Sequence, residues 1–159
     1  MSKKYPITPA IRFLRENNIN FETYEYAYVE HGGTSQSSQM LGVDEYCVIK
    51  TIVLADENKN AMIVLMHGNK EISTRNLARI LNLKHIEPVS PQTVTKLTGY
   101  MVGGTSPFGT KQVLPIYIEQ SIFDLDKIYI NGGKRGFLVK ISPQDLQSLK
   151  YEMVNIAVD

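Results

Sequence analysis

Residues 47–67 read CVIKTIVLADENKNAMIVLMH, and this stretch decides the fold class. Residues 47–55 and 61–67 are two runs rich in β-branched and apolar side chains, which is the composition of strands. The polar residues 57–60 between them are of the kind that closes a hairpin. The stretch therefore predicts two neighbouring antiparallel strands.

Further strands and helices are predicted on both sides of this hairpin. Strand-like runs lie at residues 21–28, 114–119, 127–131, 137–141 and 151–158. Helices are predicted to begin where a capping hydroxyl precedes a proline, at Thr8-Pro9, Ser90-Pro91 and Ser142-Pro143. Two more are expected, one from Ser73 and one over residues 34–41, stopped by Gly42. We predict an α/β domain of the α+β kind, with a mixed, mostly antiparallel sheet or partly closed barrel surrounded by helices.

The composition indicates one ordinary globular domain over residues 1–159. Of the 159 residues, 43% are hydrophobic and 21% are charged, which is close to globular averages. No apolar run approaches the roughly 20 residues that a membrane span needs. No apolar segment follows the basic N-terminus as in a secretory signal. We therefore expect a cytoplasmic protein without a membrane segment.

Charge and composition also limit the kinds of site. Lys plus Arg number 17 and Asp plus Glu 16, so any contact with RNA must be local, and Lys134-Arg135 is the first candidate. Cys47 is the single cysteine, and no histidine lies at a spacing that would activate it, so a core role is favoured. The three histidines fit no zinc-ligand pattern. We expect neither a metal nor another cofactor.

Lys50 breaks the pattern of its own strand. It shares a strand face with Val48, Ile52 and Leu54, so a cation lies on an apolar stripe. Lysine is seldom buried without a partner, because desolvation opposes its charged form. The position indicates either a functional lysine or a side chain whose stem reaches the sheet edge.

Two glycine-rich segments are the other unusual features. Residues 103–109 read GGTSPFG and residues 131–136 read NGGKRG. Such segments allow close approach of the backbone to a ligand, and their N–H groups can bind an anion or a carbonyl oxygen. Neither matches a phosphate-binding loop, and each alone is more typical of a tight turn. Together with Lys50 they indicate one cleft.

Three motifs, taken in order, resemble those of the YbaK/prolyl-tRNA-synthetase editing-domain superfamily. Residues 49–53, IKTIV, are similar to that family's KTL strand. Residues 98–109, TGYMVGGTSPFG, resemble its GYxxGGxSPxG segment, and residues 128–136, IYINGGKRG, resemble its SGGKRG segment. The resemblance covers essentially the whole chain. It implies a compact mixed α/β editing fold that accepts the 3′ end of an aminoacyl-tRNA.

The resemblance also implies roles for single residues. Lys50 and Gly103 are the implied catalytic residues, with Gly103 as a backbone contact near the acyl ester. The expected substrate-binding positions are Tyr26, Thr51, Gly104, Ser106, Asn131 and Gly132. Lys134 and Arg135 are expected to contact the tRNA acceptor end. The resemblance suggests prolyl-tRNA synthetase as a protein partner. The sequence leaves open whether the chain binds it.

The activity that the resemblance implies is removal of a small, wrongly attached amino acid, mainly cysteine from tRNA for proline. In YbaK-type proteins the thiol of the attached cysteine attacks the ester of the same amino acid. The cysteine then leaves as a cyclic thiolactone, so no protein nucleophile is required. A lysine and glycine N–H groups suit the orientation of the ester and the stabilisation of its oxyanion. A binding module without turnover and a hydrolase of small esters or thioesters are the alternatives.

Three positions depart from the pattern of this family. Asn131 stands where the family has serine, and Leu138 where a YbaK-type aspartate is expected. A pocket aromatic expected near Gly33 is missing. Relatives on the same scaffold remove alanine or serine, and one methylene discriminates by only about 1–3 kcal/mol. The sequence alone therefore leaves cysteine, alanine and serine open as substrates.

Overall fold

A computed structural model describes residues 4–159. Within this range the α-helices are α1 (Pro9–Glu16), α2 (Gly33–Leu41), α3 (Thr74–Ile80) and α4 (Pro91–Thr98). The strands are β1 (Glu22–Glu25), β2 (Val48–Asp56), β3 (Ala61–His67), β4 (Glu71–Ile72), β5 (Ile86–Pro88), β6 (Ile116–Glu119), β7 (Ile128–Lys134), β8 (Phe137–Ile141), β9 (Glu152–Val154) and β10 (Ala157–Val158). Short 3₁₀ helices span Glu45–Cys47, Gln120–Asp124 and Pro143–Ser148. No helix in residues 4–159 is long and apolar enough to cross a membrane.

Eight strands form one mixed sheet. Seven of them lie in the order β1-β8-β7-β2-β3-β6-β9, and β5 pairs with the far end of β2. The pairs β2–β7, β3–β6 and β6–β9 are parallel, whereas the other pairs in this sheet are antiparallel. Strands β4 and β10 form a separate two-stranded sheet. The predicted mixed, mostly antiparallel sheet is confirmed.

The helices cover both faces of this sheet. Ile49 and Val53 of β2 belong to the largest apolar cluster, together with Leu14 of α1 and Val94 of α4. Leu54, on the opposite face of β2, packs in a second cluster with residues of α3. Val48 lies in a third cluster, to which the end of α2 contributes. The alternation predicted for β2, with Lys50 on the face of Val48 and Leu54, is confirmed.

Local capping signals predicted the helix starts correctly. Thr8 Oγ1 accepts a hydrogen bond from Ile11 N–H at 3.1 Å, and Ser90 Oγ accepts one from Thr93 N–H at 3.2 Å. Ser73 caps α3 in the same way. After Ser142 the chain forms a 3₁₀ helix of six residues, which is shorter and tighter than an α-helix.

Several strand boundaries differ from the prediction, because they are set by hydrogen bonds to residues that are distant in the sequence. The expected strand over residues 151–158 is interrupted because the Glu119 carboxylate accepts the N–H groups of Ile156 and Ala157, at 2.8 and 3.0 Å. The two halves, β9 and β10, then pair with β6 and β4. The expected strand over residues 21–28 ends at Glu25, where the pairing of β1 with β8 ends. The short strands β4 and β5 were not predicted.

Candidate active site

The sheet has a gap along one edge of β2. On this edge residues 48–49 pair with β7, and residues 54–56 pair with β5. Val53 O accepts a hydrogen bond from Val89 N–H at 3.3 Å, so residues 50–52 lie between the two pairings. These three residues are partly exposed, whereas the rest of β2 is buried. An unpaired strand edge can bind a ligand through its backbone.

Lys50 lies in this gap with a mostly buried side chain. Its side chain is 22% exposed, and its Nζ lies 3.7 Å from Glu71 Oε1. Met66, its partner in the β2–β3 pairing, is fully buried. The ammonium group therefore has an ion-pair partner beside an apolar surface, as expected for a lysine that is not free in solvent.

Thr51 faces the opposite side of β2. It pairs with Leu65, which belongs to the largest apolar cluster. Its Oγ1 atom is buried and has no hydrogen-bond partner within the described residues. Buried hydroxyl groups are nearly always paired, so this hydroxyl needs a partner from outside the described residues, a bound water or a ligand.

Asn131 and Leu138 lie in the same row of the sheet as Lys50. Ile49 pairs with Ile130 in parallel, and Asn131 and Lys50 are the next residues of the two strands, where this pairing ends. Leu138 pairs with Asn131 across β7 and β8, and is 2% exposed. The two positions that depart from the family pattern therefore lie on the same face of the sheet as Lys50, Asn131 on the adjacent strand and Leu138 one strand further away.

The two glycine-rich segments are in direct contact. A Cβ atom at Gly104 would lie 2.6 Å from Arg135 N, so only glycine permits this approach. Gly103 has a φ of +95°, and a Cβ atom there would lie 2.6 Å from Tyr28 Oη. Gly104 N–H donates to Met101 O at 2.9 Å, whereas Gly103 N–H has no acceptor within residues 4–159. The Gly103 N–H is therefore free to donate to a ligand.

The side chains of Tyr28 and Arg135 contact the first glycine-rich segment, at Gly103 and at Val102. The Arg135 guanidinium lies 5.1 Å from the centre of the Tyr28 ring, and its Nε donates to Val102 O at 2.8 Å. Lys134 is exposed. Sequence reasoning missed Tyr28, although the alternating tyrosines at 24, 26 and 28 were a signal for one aromatic strand face.

Tyr26 contacts the end of the second glycine-rich segment. Its N–H donates to Gly136 O at 2.9 Å, and its ring packs against the cluster of Val48, Tyr129 and Leu138. Burial raises the pKa of Tyr26. The phenol is therefore neutral near neutral pH and can act only as a hydrogen-bonding or packing group.

Two predicted substrate contacts have structural partners. Ser106 is fully buried, and its Oγ accepts a hydrogen bond from Phe108 N–H at 3.1 Å. Gly132 O accepts a hydrogen bond from Thr8 Oγ1 at 2.5 Å, and a Cβ atom at Gly132 would lie 2.6 Å from the Phe137 ring. Their place in substrate binding stays a prediction.

Cys47 is poorly suited to be a nucleophile. Its side chain packs against the third apolar cluster, and its Sγ donates to Asp44 O at 2.9 Å. Burial raises the pKa of the Cys47 thiol, so the reactive thiolate is disfavoured. No group of three His, Cys, Asp or Glu side chains within residues 4–159 converges as a set of metal ligands.

A separate apolar groove of the described chain lies elsewhere. Its volume is about 710 Å³, and its apolar walls include Phe13, Val113, Leu149 and Tyr151. None of the predicted site residues lines it. The predicted site residues lie instead at the gap, which holds the Lys50 ammonium, and in the two glycine-rich segments, and their roles stay predictions.

Comparison with known proteins identifies the family to which the chain belongs. Residues 30–149 match the family model of the aminoacyl-tRNA editing domain. The chain is 27% identical over 143 residues to EbsC of Enterococcus faecalis, which is described as a Cys-tRNA(Pro)/Cys-tRNA(Cys) deacylase; the match covers 89% of this chain and 87% of EbsC. A proline–tRNA ligase of Brachyspira hyodysenteriae is 31% identical over 86 residues, 54% of this chain and 15% of the ligase.

A solved structure has the same fold. It is described as a trans-editing enzyme for prolyl tRNA synthetase, and it superimposes with a TM-score of 0.82 at 19% identity. The superposition covers 97% of this chain and 100% of that chain. At this identity the likeness concerns the fold alone.

Proposed function

The chain belongs to the aminoacyl-tRNA editing domain family, and we propose that it is a deacylase that acts in trans on wrongly charged aminoacyl-tRNA. The observation that carries the proposal is the gap beside β2, where the Lys50 ammonium and the unpaired Thr51 hydroxyl meet an open strand edge. EbsC, described as a deacylase, supports the reaction class. The cytoplasm is the compartment in which we expect it to act on its substrate.

The reaction that we propose needs no protein nucleophile. An aminoacyl ester is already activated, so the protein has to orient it and stabilise the negative charge that develops on its carbonyl oxygen. Lys50 would supply a positive charge and Gly103 a free N–H group. Thr51 would donate a hydrogen bond to the ester or the ribose from the other side of the gap.

A cysteinyl substrate would provide the attacking group itself. Its thiol would lose a proton and attack the carbonyl carbon, the ester C–O bond would break, and the leaving ribose oxygen would take up one proton in place of the one that the thiol lost. Cysteine would leave as a cyclic thiolactone. Cys47 would take no part, since its half-buried thiol is bonded to Asp44 O and has a raised pKa.

The amino acid would be selected by the residues that surround Lys50. Leu138 presents a buried apolar surface where an aspartate is expected in YbaK-type proteins, and Asn131 is polar but uncharged. Such a surface favours a small, uncharged side chain. We propose cysteine as the first substrate to test, followed by alanine and serine, because an apolar pocket separates them only weakly.

The tRNA would be bound locally. Formal net charge is only +1, so long-range attraction is weak, and the exposed Lys134 is the group that we propose to contact the acceptor-end phosphates. Arg135 is already engaged with Tyr28 and Val102 and would act by positioning the Gly103 segment. We propose prolyl-tRNA synthetase as the partner that supplies the tRNA, because a proline–tRNA ligase carries a related segment.

The test is deacylation of tRNA for proline that has been charged separately with cysteine, alanine, serine or proline. We expect rapid loss of one noncognate amino acid by the wild type, and at least a hundredfold slower loss by Lys50→Ala, about the effect of removing one oxyanion donor. Lys140→Ala is the matched control, because Lys140 is 29% exposed and pairs with Glu22 at 3.9 Å on the same sheet. Its activity should be unchanged.

Two outcomes would contradict this proposal. If none of the four amino acids is released, while the charged tRNA still binds, the chain is a binding module. If an aminoacyl ester without the tRNA body is cleaved equally fast, the chain is a hydrolase of small esters.

A further inference from the structure

The ion-pair partner of Lys50 comes from a different sheet. Glu71 belongs to β4, whereas Lys50 belongs to β2 of the large sheet. The Glu71 side chain is 73% exposed, and its Oε1 lies 3.7 Å from Lys50 Nζ. A carboxylate in this position can orient the ammonium group at the gap while leaving its other protons free.

Strand β4 is held in place by the C-terminal strand. It has two residues, and it pairs with β10 so that Glu71 lies opposite Val158 and Ile72 opposite Ala157. Ser73 N–H adds a hydrogen bond to Ile156 O at 2.8 Å. Two short strands are not stable alone, so the position of Glu71 depends on what fixes β10.

A buried carboxylate fixes β10. Glu119 is 2% exposed and accepts the N–H groups of Ile156 and Ala157, at 2.8 and 3.0 Å. At the other end of β10, the ammonium group of Lys70 pairs with the Asp159 carboxylate. The C-terminal strand is therefore anchored on both sides, and through β4 it holds Glu71 beside Lys50.

We propose that Glu71 is a positioning residue for Lys50, held by the C-terminal strand. The inference rests on the proposed function, in which Lys50 stabilises the developing oxyanion. A lysine side chain is flexible, and an ammonium group that is already oriented loses less freedom in the transition state. An ion pair with a mostly exposed partner adds little to stability, so the effect of Glu71 is on orientation.

The test is the kinetics of Glu71→Gln, which removes the charge and keeps the size of the side chain. We expect kcat for deacylation to fall about tenfold with KM and Tm unchanged, as for an interaction made mainly in the transition state. Glu71→Asp should retain part of the rate. In the Lys50→Ala background, Glu71→Gln should cause no further loss, because the two residues act as one unit.

Glu22→Gln is the matched control, because Glu22 is the exposed partner of another half-buried lysine, Lys140, at 3.9 Å. It should leave kcat unchanged. Full activity of Glu71→Gln would overturn the inference. A further loss in the Lys50→Ala background would also overturn it, because Glu71 would then contact the substrate directly.

A second measurement does not depend on turnover. The rate at which the Lys50 amine is methylated by formaldehyde and borohydride, followed by peptide mass spectrometry, reports whether Glu71 holds it. We expect Glu71→Gln to raise this rate several-fold and Glu22→Gln to leave it unchanged; an equal rate in both variants would overturn the inference. If the wild type releases no amino acid, the proposed function fails, and the labelling alone decides whether Glu71 holds Lys50.

Discussion

Thr51 shows how a single residue can favour a ligand at the expense of stability. Its hydroxyl is buried and unpaired among the described residues, and an unpaired buried polar group costs about 1–3 kcal/mol. The neighbouring Lys50 has an ion-pair partner, so Thr51 is the group at the gap that a bound ligand or water would satisfy.

We predict that Thr51→Val stabilises the protein and slows deacylation. Valine has nearly the same shape and no unpaired hydroxyl, so the free energy of unfolding should rise by about 1 kcal/mol. Thr98→Val is the control, because the Thr98 hydroxyl is buried and donates to Val94 O at 2.7 Å, so this variant should be destabilised. Urea unfolding and deacylation rates check both; a destabilised Thr51→Val with normal activity would contradict the role proposed for the hydroxyl.

A second residue-scale prediction concerns Gly103. Gly103→Ala places a Cβ atom 2.6 Å from Tyr28 Oη, in a backbone conformation with a φ of +95°. We predict loss of activity together with a destabilisation of about 1–3 kcal/mol from the backbone strain. Activity assays and thermal unfolding measure the two effects.

Gly42→Ala separates the strain from the contact with Tyr28. Gly42 has a φ of +67°, with nothing within 4 Å of an added Cβ atom. This variant should lose a comparable amount of unfolding free energy from the strained backbone, while its deacylation rate stays normal. Equal activity of the two variants would mean that the segment around Gly103 is only a turn.

At the scale of elements, one hydroxyl joins α1 to the second glycine-rich segment. Thr8 Oγ1 accepts from Ile11 N–H at 3.1 Å and donates to Gly132 O at 2.5 Å. The helix cap therefore also fixes the end of β7, where the strand leaves β2 and the gap opens.

We predict that Thr8→Ala lowers both stability and activity. Loss of a helix cap costs about 1 kcal/mol, and the freed segment should hold Asn131 and Arg135 less firmly. Ser90→Ala removes the cap of α4, which bonds within its own helix, so it should lower Tm without slowing deacylation. Equal activity losses in the two variants would show that the effect is general destabilisation.

At the scale of the whole molecule, a buried network links stability to pH. His67 is fully buried and stacks on Tyr46, with its Nδ1 2.7 Å from Tyr46 O and its Nε2 2.7 Å from Ser121 Oγ. Because a carbonyl oxygen only accepts, Nδ1 carries the ring proton. Burial lowers the pKa of His67, so the folded chain favours the neutral ring.

We predict that stability falls as the pH falls below 6.5, the ordinary pKa of histidine. The unfolded chain binds a proton there that the folded chain resists, so protonation favours unfolding. Urea unfolding at pH 7.5 and 5.5 should show this loss in the wild type and a smaller one in His67→Gln. His85→Gln, which changes an exposed histidine, should keep the wild-type difference; an unchanged difference in His67→Gln would contradict the prediction.

The features that the sequence determined by itself depend on residues close together in the chain. Strand β3 and strand β8 have the predicted bounds, since apolar and β-branched runs between turn residues need no distant information. The helix starts at Thr8, Ser73 and Ser90 follow from a hydroxyl that caps a helix within three residues. The face of Lys50 follows from the alternation of side chains along a strand.

Only the tertiary structure decided which distant residues meet at the candidate site. The gap beside β2 arises because β7 and β5, far apart in sequence, pair with different parts of one strand edge. Tyr28 lies over Gly103. Glu71 reaches Lys50 from strand β4, which pairs with β10. Strand β10 is in turn held by Glu119, which lies 37 residues before Ile156 in the sequence. Strand pairing over such separations is set by the packing of the whole core, which local patterns do not encode.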